Sequence, residues 1–234
     1  KVGQNDELRR DYVIRCERNL RMPIYWVLDE KAKVASCIEM REAVKAIIRD
    51  VGLTYWKRVM KEFIEEGRRG QLARTRQLTV PGIYRGHTFY GHVTEGKPGF
   101  QPLGPANWLY NIPLELEIKR DGTMVLDFEG TQPWGYHSMN CTPAGMDGGM
   151  FVTLTQHMNF EGLVNDGAWM ATELKLPKGT WTNPDNEMVA TATSWALLLP
   201  AYGVFQRLIS RGFLARGYVE EVFVGQVNSP MIEM

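Results

Sequence analysis

Between Ile112 and Glu129 the side chains alternate so regularly that two paired strands are the natural reading. Ile112, Leu114, Leu116 and Ile118 interleave with Glu115, Glu117 and Lys119. After Arg120-Asp121-Gly122, the residues Met124, Leu126 and Phe128 interleave with Val125, Asp127 and Glu129. A period of two puts each set on one face of a sheet. The turn then decides the register. A two-residue Asp-Gly loop would set Ile118 against Val125, Leu116 against Asp127 and Leu114 against Glu129. A three-residue Arg-Asp-Gly loop pairs Ile118 with Met124, Leu116 with Leu126 and Leu114 with Phe128, which keeps one face apolar. The three-residue loop is therefore expected, with Gly122 at positive φ. That register places Glu115 directly across from Asp127. Facing carboxylates repel, so this face is expected to be solvated, or else to hold a cation or a neighbouring chain's Lys or Arg.

Upstream, the period changes from two to nearly four. Asp29 is a plausible N-cap for a helix whose apolar residues are Val34, Cys37, Ile38, Val44, Ile47, Ile48 and Val51. Gly52 stops it, and Thr54 caps a second helix with the stripe Trp56, Val59, Met60, Phe63 and Ile64. Two amphipathic helices joined at a glycine make an αα-hairpin, and such a hairpin needs a further surface over its apolar side. An Arg-rich continuation (Arg68, Arg69, Arg74, Arg76) runs to about Gln77 and reads as a solvated face or a patch for a partner chain.

Strand character begins near Leu78, with Pro81 to Gly86 a turn entering a short strand and Gly96 to Pro105 loop-like. Beyond the hairpin, a glycine-rich stretch from Gly130 to Gly149 leads into an apolar helix, Met150 to Met158. A short strand near Thr172 to Leu176, a turn at Pro177 to Pro184 and a helix around Ser194 to Arg211 follow. The expected fold class is α+β: an N-terminal αα-hairpin, then a mixed, largely antiparallel sheet with packed helices. The expected division is a helical segment over 1–77 and an α+β segment over 78–234. The chain opens on Lys1 and closes soon after a strand-like run, Tyr218 to Val227, so it reads as a piece of a larger subunit.

Bulk composition narrows the function. Net charge is formally zero, which gives no long-range attraction to nucleic acid or to an anionic membrane. No run approaches the roughly 20 apolar residues that span a bilayer; the most apolar, Trp195 to Phe205, is short and holds Pro200 and Gly203. Cys16, Cys37 and Cys141 are odd in number and widely spaced, which fits a reducing, cytoplasmic setting and small buried residues rather than nucleophiles. No phosphate-loop, dinucleotide, metalloprotease, Gly-x-Ser-x-Gly or Cys-x-x-Cys motif is present. His87, His92, His137 and His157 form no metal-ligand spacing, so no metal is expected to be held by these residues alone.

Chemistry-bearing groups concentrate between Asp127 and Asp147, where a strand end leads through Trp134, Tyr136, His137 and Asn140 to a helix N-terminus. Strand-end loops entering helices commonly carry sites. The candidate catalytic residues are Asp127, His137 and Asn140. The competing reading makes Trp134 and Tyr136 core, with Asp127, Asn140 and Asp147 serving turns and caps.

The same stretch carries a family likeness. Asp127-Phe-Glu-Gly-Thr131 with Asn140-x-x-Pro143 resembles the Asp-Phe-[Thr/Ser]-Gly-[Thr/Ser] and Asn-x-x-Pro pattern of the hydantoinase B family. Asn19-Leu-Arg-Met-Pro23, Val80-Pro-Gly-Ile-Tyr84 and Pro177-Lys-Gly-Thr-Trp-Thr-Asn-Pro184 match further family elements in order. Thr131 to Pro143 and Asn159 to Trp169 are similar to the family's ketone carboxylase branch.

That resemblance implies the large subunit of a cytoplasmic hetero-oligomer that carboxylates a ketone, acetone, with bicarbonate to acetoacetate. A hydantoinase A-like partner subunit would bind ATP, and a small third subunit would complete the assembly. The branch works at a manganese centre whose ligands belong to a more N-terminal, His-x-x-Asp-containing region that has no counterpart in these 234 residues. Manganese is therefore expected outside this segment. The alternatives are an ATP-dependent N-methylhydantoinase or 5-oxoprolinase type of ring-opening hydrolase, and a scaffold segment without a reacting group.

Overall fold

The computed structural model describes residues 2–93, 107–135, 140–159, 162–187, 189 and 195–219. The chain divides into two compact units, Lys1–Glu62 and Phe63–Met234.

The first unit opens on a minimal hairpin, β1 (Gly3–Gln4) and β2 (Glu7–Leu8). Its two turn residues both take positive φ, Asn5 at 52° and Asp6 at 64°. That is the left-handed pair a twisted two-residue hairpin requires, and Asn and Asp tolerate it best. Arg41 holds Asp6 through two hydrogen bonds of 2.7 and 2.9 Å and keeps its carboxyl below the usual range. Helix α1 (Arg10–Asn19) packs against α2 (Pro23–Val51), with Tyr12 edge-on to Trp26. Helix α3 (Leu53–Leu78) follows at once, and the division between units falls inside it.

The two long helices joined at Gly52 are present, but both of their starts move. Helix α2 begins at Pro23, so Asp29 lies in its second turn rather than at its N-cap. The cause is Pro23 at the first helical position: its ring presets φ, and the N–H it lacks would be unbonded there anyway. Thr54 likewise lies inside α3, because Gly52, at φ +83°, makes the break alone and its carbonyl already accepts the Trp56 N–H. The one buried residue of α2 is Glu30, paired with Lys33. Ile24, Tyr25, Leu28, Met40 and Ile47 are exposed, and so is Cys37, contrary to the expectation that the cysteines are buried. Cys141 does meet that expectation.

The second unit is built on a four-stranded sheet, β3 (Gly82–Val93), β4 (Asn107–Ile118), β5 (Met124–Asp127) and β6 (Thr172–Lys175), in that spatial order. The first three pair antiparallel and β6 runs parallel to β5, the mixed, largely antiparallel arrangement of an α+β fold. Ile118 pairs with Met124, Leu116 with Leu126 and Glu115 with Asp127. Gly122 sits at φ +92°, as the three-residue loop demands. A Cβ there would also lie 2.4 Å from the Leu72 carbonyl oxygen. The proposed Leu114–Phe128 pair does not form, since β5 ends at Asp127 and the Phe128 N–H turns to the Lys175 carbonyl at 3.1 Å.

Strand β3 is a full 12 residues rather than short. Its Gly86 serves packing: a Cβ there would sit 3.1 Å from Leu208 of α6 (Trp195–Arg216). Helix α6 covers the apolar face of the sheet and runs five residues past the expected Arg211. Its Arg207 and Arg211 donate to the β3 carbonyls of His87 and Arg85, at 2.8 and 2.7 Å. Arg216 donates to the Thr79 and Arg76 carbonyls at the end of α3. Helix α4 (Pro143–Met158) begins seven residues before the expected Met150, since Thr142 caps it and Pro143 again opens the helix. The short α5 (Asp166–Trp169) lies between α4 and β6. Trp181, Tyr110, Phe128, Phe205, Met146 and Leu116 are fully buried at the centre.

The Arg-rich part of α3 is largely taken up inside this unit. Arg68 and Arg69 hold Glu65 and draw its carboxyl down to about 2. Arg74 donates to the Met158 carbonyl and Arg76 to that of Asp121. The loop-like Gly96 to Pro105 and the strand-like Tyr218 to Val227 fall outside the described residues, apart from Tyr218 itself.

Candidate functional site

The parallel pair β5 and β6 brings two strand ends to one level. Asp127 and Lys175 are register partners, and a loop leaves each strand just beyond them. Ligands in sheets with parallel strands gather beyond the carboxyl ends of those strands, which makes this corner the natural place for a site.

The two loops are tied together. The Trp181 N–H donates to the Gln132 carbonyl at 3.2 Å, Trp134 N–H to that of Gly179 at 3.3 Å, and Cys141 N–H to that of Trp181 at 2.7 Å. Trp134 Nε1 donates to Asp185 Oδ1 at 2.8 Å. The Pro-x-Gly turn allows this closeness: Gly179 takes φ +80°, and Thr180 pairs with both Pro133 and Asn183. Trp181 in the following position fills the core beneath.

Of the three candidate residues, two are described. Asp127 lies on the sheet face opposite α6. Its Oδ1 accepts the Glu129 N–H at 2.9 Å, and its Oδ2 is 3.7 Å from Lys175 Nζ. Asn140 is fully buried; it accepts from the Gly135 N–H at 3.0 Å and donates to the Gly135 carbonyl at 2.8 Å, closing the loop on itself. His137 lies outside the described residues, as does Tyr136. The helix N-terminus that the loop feeds is taken up by its own cap: Thr142 Oγ1 accepts the Gly145 N–H and the Thr142 carbonyl that of Met146. Asp147 accepts from Trp169 Nε1 at 2.7 Å. Beside Cys141, burial pushes the Tyr202 phenol up.

The facing carboxylates are resolved by the sheet itself. Arg85 of β3 donates to Glu115 at 2.6 Å, and Lys175 of β6 flanks Asp127, so a row Arg85–Glu115–Asp127–Lys175 crosses all four strands. The face was expected to be solvated or to hold a cation or a neighbouring chain's Lys or Arg; its side chains are partly exposed, and the two cations come from the outer strands of the same sheet. Lys175 and Asp185 went unseen in the sequence because nothing in the local pattern brings residues some fifty positions apart to one corner. Among the described residues no three His, Cys, Asp or Glu side chains converge as metal ligands. Among the described residues no helix is long and apolar enough to cross a membrane.

Known proteins resemble this chain in sequence and fold. The family profile described as hydantoinase B/oxoprolinase matches residues 1–227. The acetone carboxylase alpha subunit of Xanthobacter autotrophicus (strain Py2) is 39% identical over 234 residues, covering 98% of this chain and 30% of that one. A solved structure titled as nucleotide-free acetone carboxylase, from work on ATP-dependent acetone carboxylation, superposes with a TM-score of 0.88 at 37% identity, over 96% of this chain and 30% of that one. An ATP-dependent caprolactamase from Pseudomonas jessenii superposes at 0.64 with 18% identity, over 89% and 34%, which is a likeness of fold. The chain thus spans about a third of the length of each relative it matches.

Proposed function

The chain belongs to the hydantoinase B/oxoprolinase family, and from that premise we propose that it forms part of the large subunit of an ATP-dependent ketone carboxylase converting acetone and bicarbonate to acetoacetate. The observation that carries the proposal is 39% identity to an acetone carboxylase alpha subunit along 98% of the chain. The tied loops at the β5–β6 corner supply its structural counterpart.

In this reading the protein works in the cytoplasm as one member of a hetero-oligomer. A hydantoinase A-like partner binds ATP and a small third subunit completes the complex. Manganese is held outside residues 1–234. The residues of this chain supply the corner. Asp127 offers a carboxylate able to accept a proton, and His137 offers an imidazole able to pass one on. Asn140, buried and hydrogen-bonded to Gly135 in both directions, serves as a positioning residue rather than a reacting one.

The test is turnover by the purified complex. ATP consumption should depend on acetone and bicarbonate together, with acetoacetate as product. ATP-driven opening of a hydantoin or 5-oxoproline ring without acetoacetate would move the chain to the hydrolytic branch. A scaffold role predicts that Asp127→Asn and His137→Gln keep turnover while weakening assembly. The site role predicts about 100-fold lower kcat in an intact complex, the low end of what positioned acid–base groups contribute.

A further inference from the structure

The charged row across the sheet has two ends of different character. At one, Arg85 and Glu115 form a direct hydrogen-bonded pair at 2.6 Å. At the other, Lys175 Nζ stays 3.7 Å from Asp127 Oδ2, beyond hydrogen-bond distance, and makes no hydrogen bond to any described residue. Both pairs join register partners on neighbouring strands, so backbone spacing does not explain the difference. An ammonium group carries three donors and no acceptor. Here it stands half exposed, with 51% of its side chain accessible, at the mouth of the two tied loops.

We propose that Lys175 is an anion-binding residue of the β5–β6 corner, taking an oxygen of a small oxyanion of the bicarbonate or carboxylate class while the Asp127 carboxylate beside it stands as a hydrogen-bond acceptor. The inference rests on the carboxylase reading for the identity of the anion but not for its existence. Geometry favours a small ligand. The β5–β6 register sets Lys175 beside Asp127 at the strand ends, and Asp127 is held by the Glu129 N–H, so an oxyanion bound to Lys175 lies next to a held carboxylate. Such juxtaposition suits an anion that also carries an O–H to donate as a hydrogen bond, as bicarbonate does. An exposed ion pair of this kind contributes only about 0–1 kcal/mol to folding, which allows binding to be read apart from stability.

The experiment uses the full-length subunit in its complex, with Lys175→Ala, Lys175→Arg and Arg85→Ala as the closed-end control. Titrations with bicarbonate alone and with inorganic phosphate alone read binding directly, and steady-state kinetics read turnover. Lys175→Ala should weaken bicarbonate binding and raise the bicarbonate KM by about tenfold, the scale of one charge-assisted hydrogen bond. The acetone KM and the thermal midpoint should stay in place, Lys175→Arg should recover most of the loss, and Arg85→Ala should match the parent. If bicarbonate KM holds but inhibition by acetoacetate weakens about tenfold, the carboxylate product is the ligand and the assignment stands. If the parent complex binds bicarbonate through Lys175 yet makes no acetoacetate, the carboxylase reading falls and the anion site survives. Equal bicarbonate and phosphate titrations for parent and Lys175→Ala, with equal KM and acetoacetate inhibition, overturn it.

Discussion

The two units use helices of similar length in opposite ways. Helix α6 has 22 residues and is covered on much of its surface, with Val204, Phe205, Leu208, Ile209 and Phe213 all in the core. Helix α2 is longer, at 29 residues, and buries a single side chain, which is a carboxylate. Both carry enough apolar residues to pack. The difference teaches that a helical stripe announces a face to be covered without saying what covers it. In the second unit the sheet does so. In the first, the described residues that α2 packs against are α1 and a six-residue hairpin.

This contrast can be attacked from its strong side first. Trp181 is fully buried beneath the tied loops, so Trp181→Ala should cost about 3–5 kcal/mol, seen as a large drop in the denaturation midpoint. A loss under 1 kcal/mol would mean that the second unit is less consolidated than its burial implies. Next comes Gly122→Ala, which meets both a left-handed backbone and the Leu72 carbonyl. It should cost about 2–3 kcal/mol from strain and overpacking, with the β4–β5 amides losing hydrogen-exchange protection. The smallest effect belongs to the first unit. Met40 is 67% exposed, and Met40→Gln should shift stability by no more than about 0.5 kcal/mol. A loss above about 1.5 kcal/mol would show that a surface outside this chain lies over α2.

How much was legible in the sequence follows the same divide. The β4–β5 register could be read, short of the Leu114–Phe128 pair, because strict alternation and an Arg-Asp-Gly turn leave one solution with a uniform face. Strand β3 was under-read. Gly82, Gly86 and Gly91 break any apolar pattern, yet Gly86 is what lets the strand lie close under a helix, against Leu208. Both Pro-opened helices, α2 and α4, were started too late, although Met22-Pro23 and Thr142-Pro143 carry the signal locally. At the corner, the loop that follows Asp127 was found from its composition and family likeness. Lys175 and Asp185 were not, since parallel pairing of β5 with β6 is a tertiary fact that no short window contains.

The arginines that α6 lays on β3 have a consequence for the order of synthesis. Strand β3 ends at Val93 and α6 begins at Trp195, so about a hundred residues separate the edge from its guard. At roughly 5–20 residues per second, the ribosome delivers a 12-residue edge strand several seconds before Arg207 and Arg211 can occupy its carbonyls. During that interval the nascent sheet offers an unpaired border on which other chains can template. The edge is therefore without its guard until the last helix has emerged.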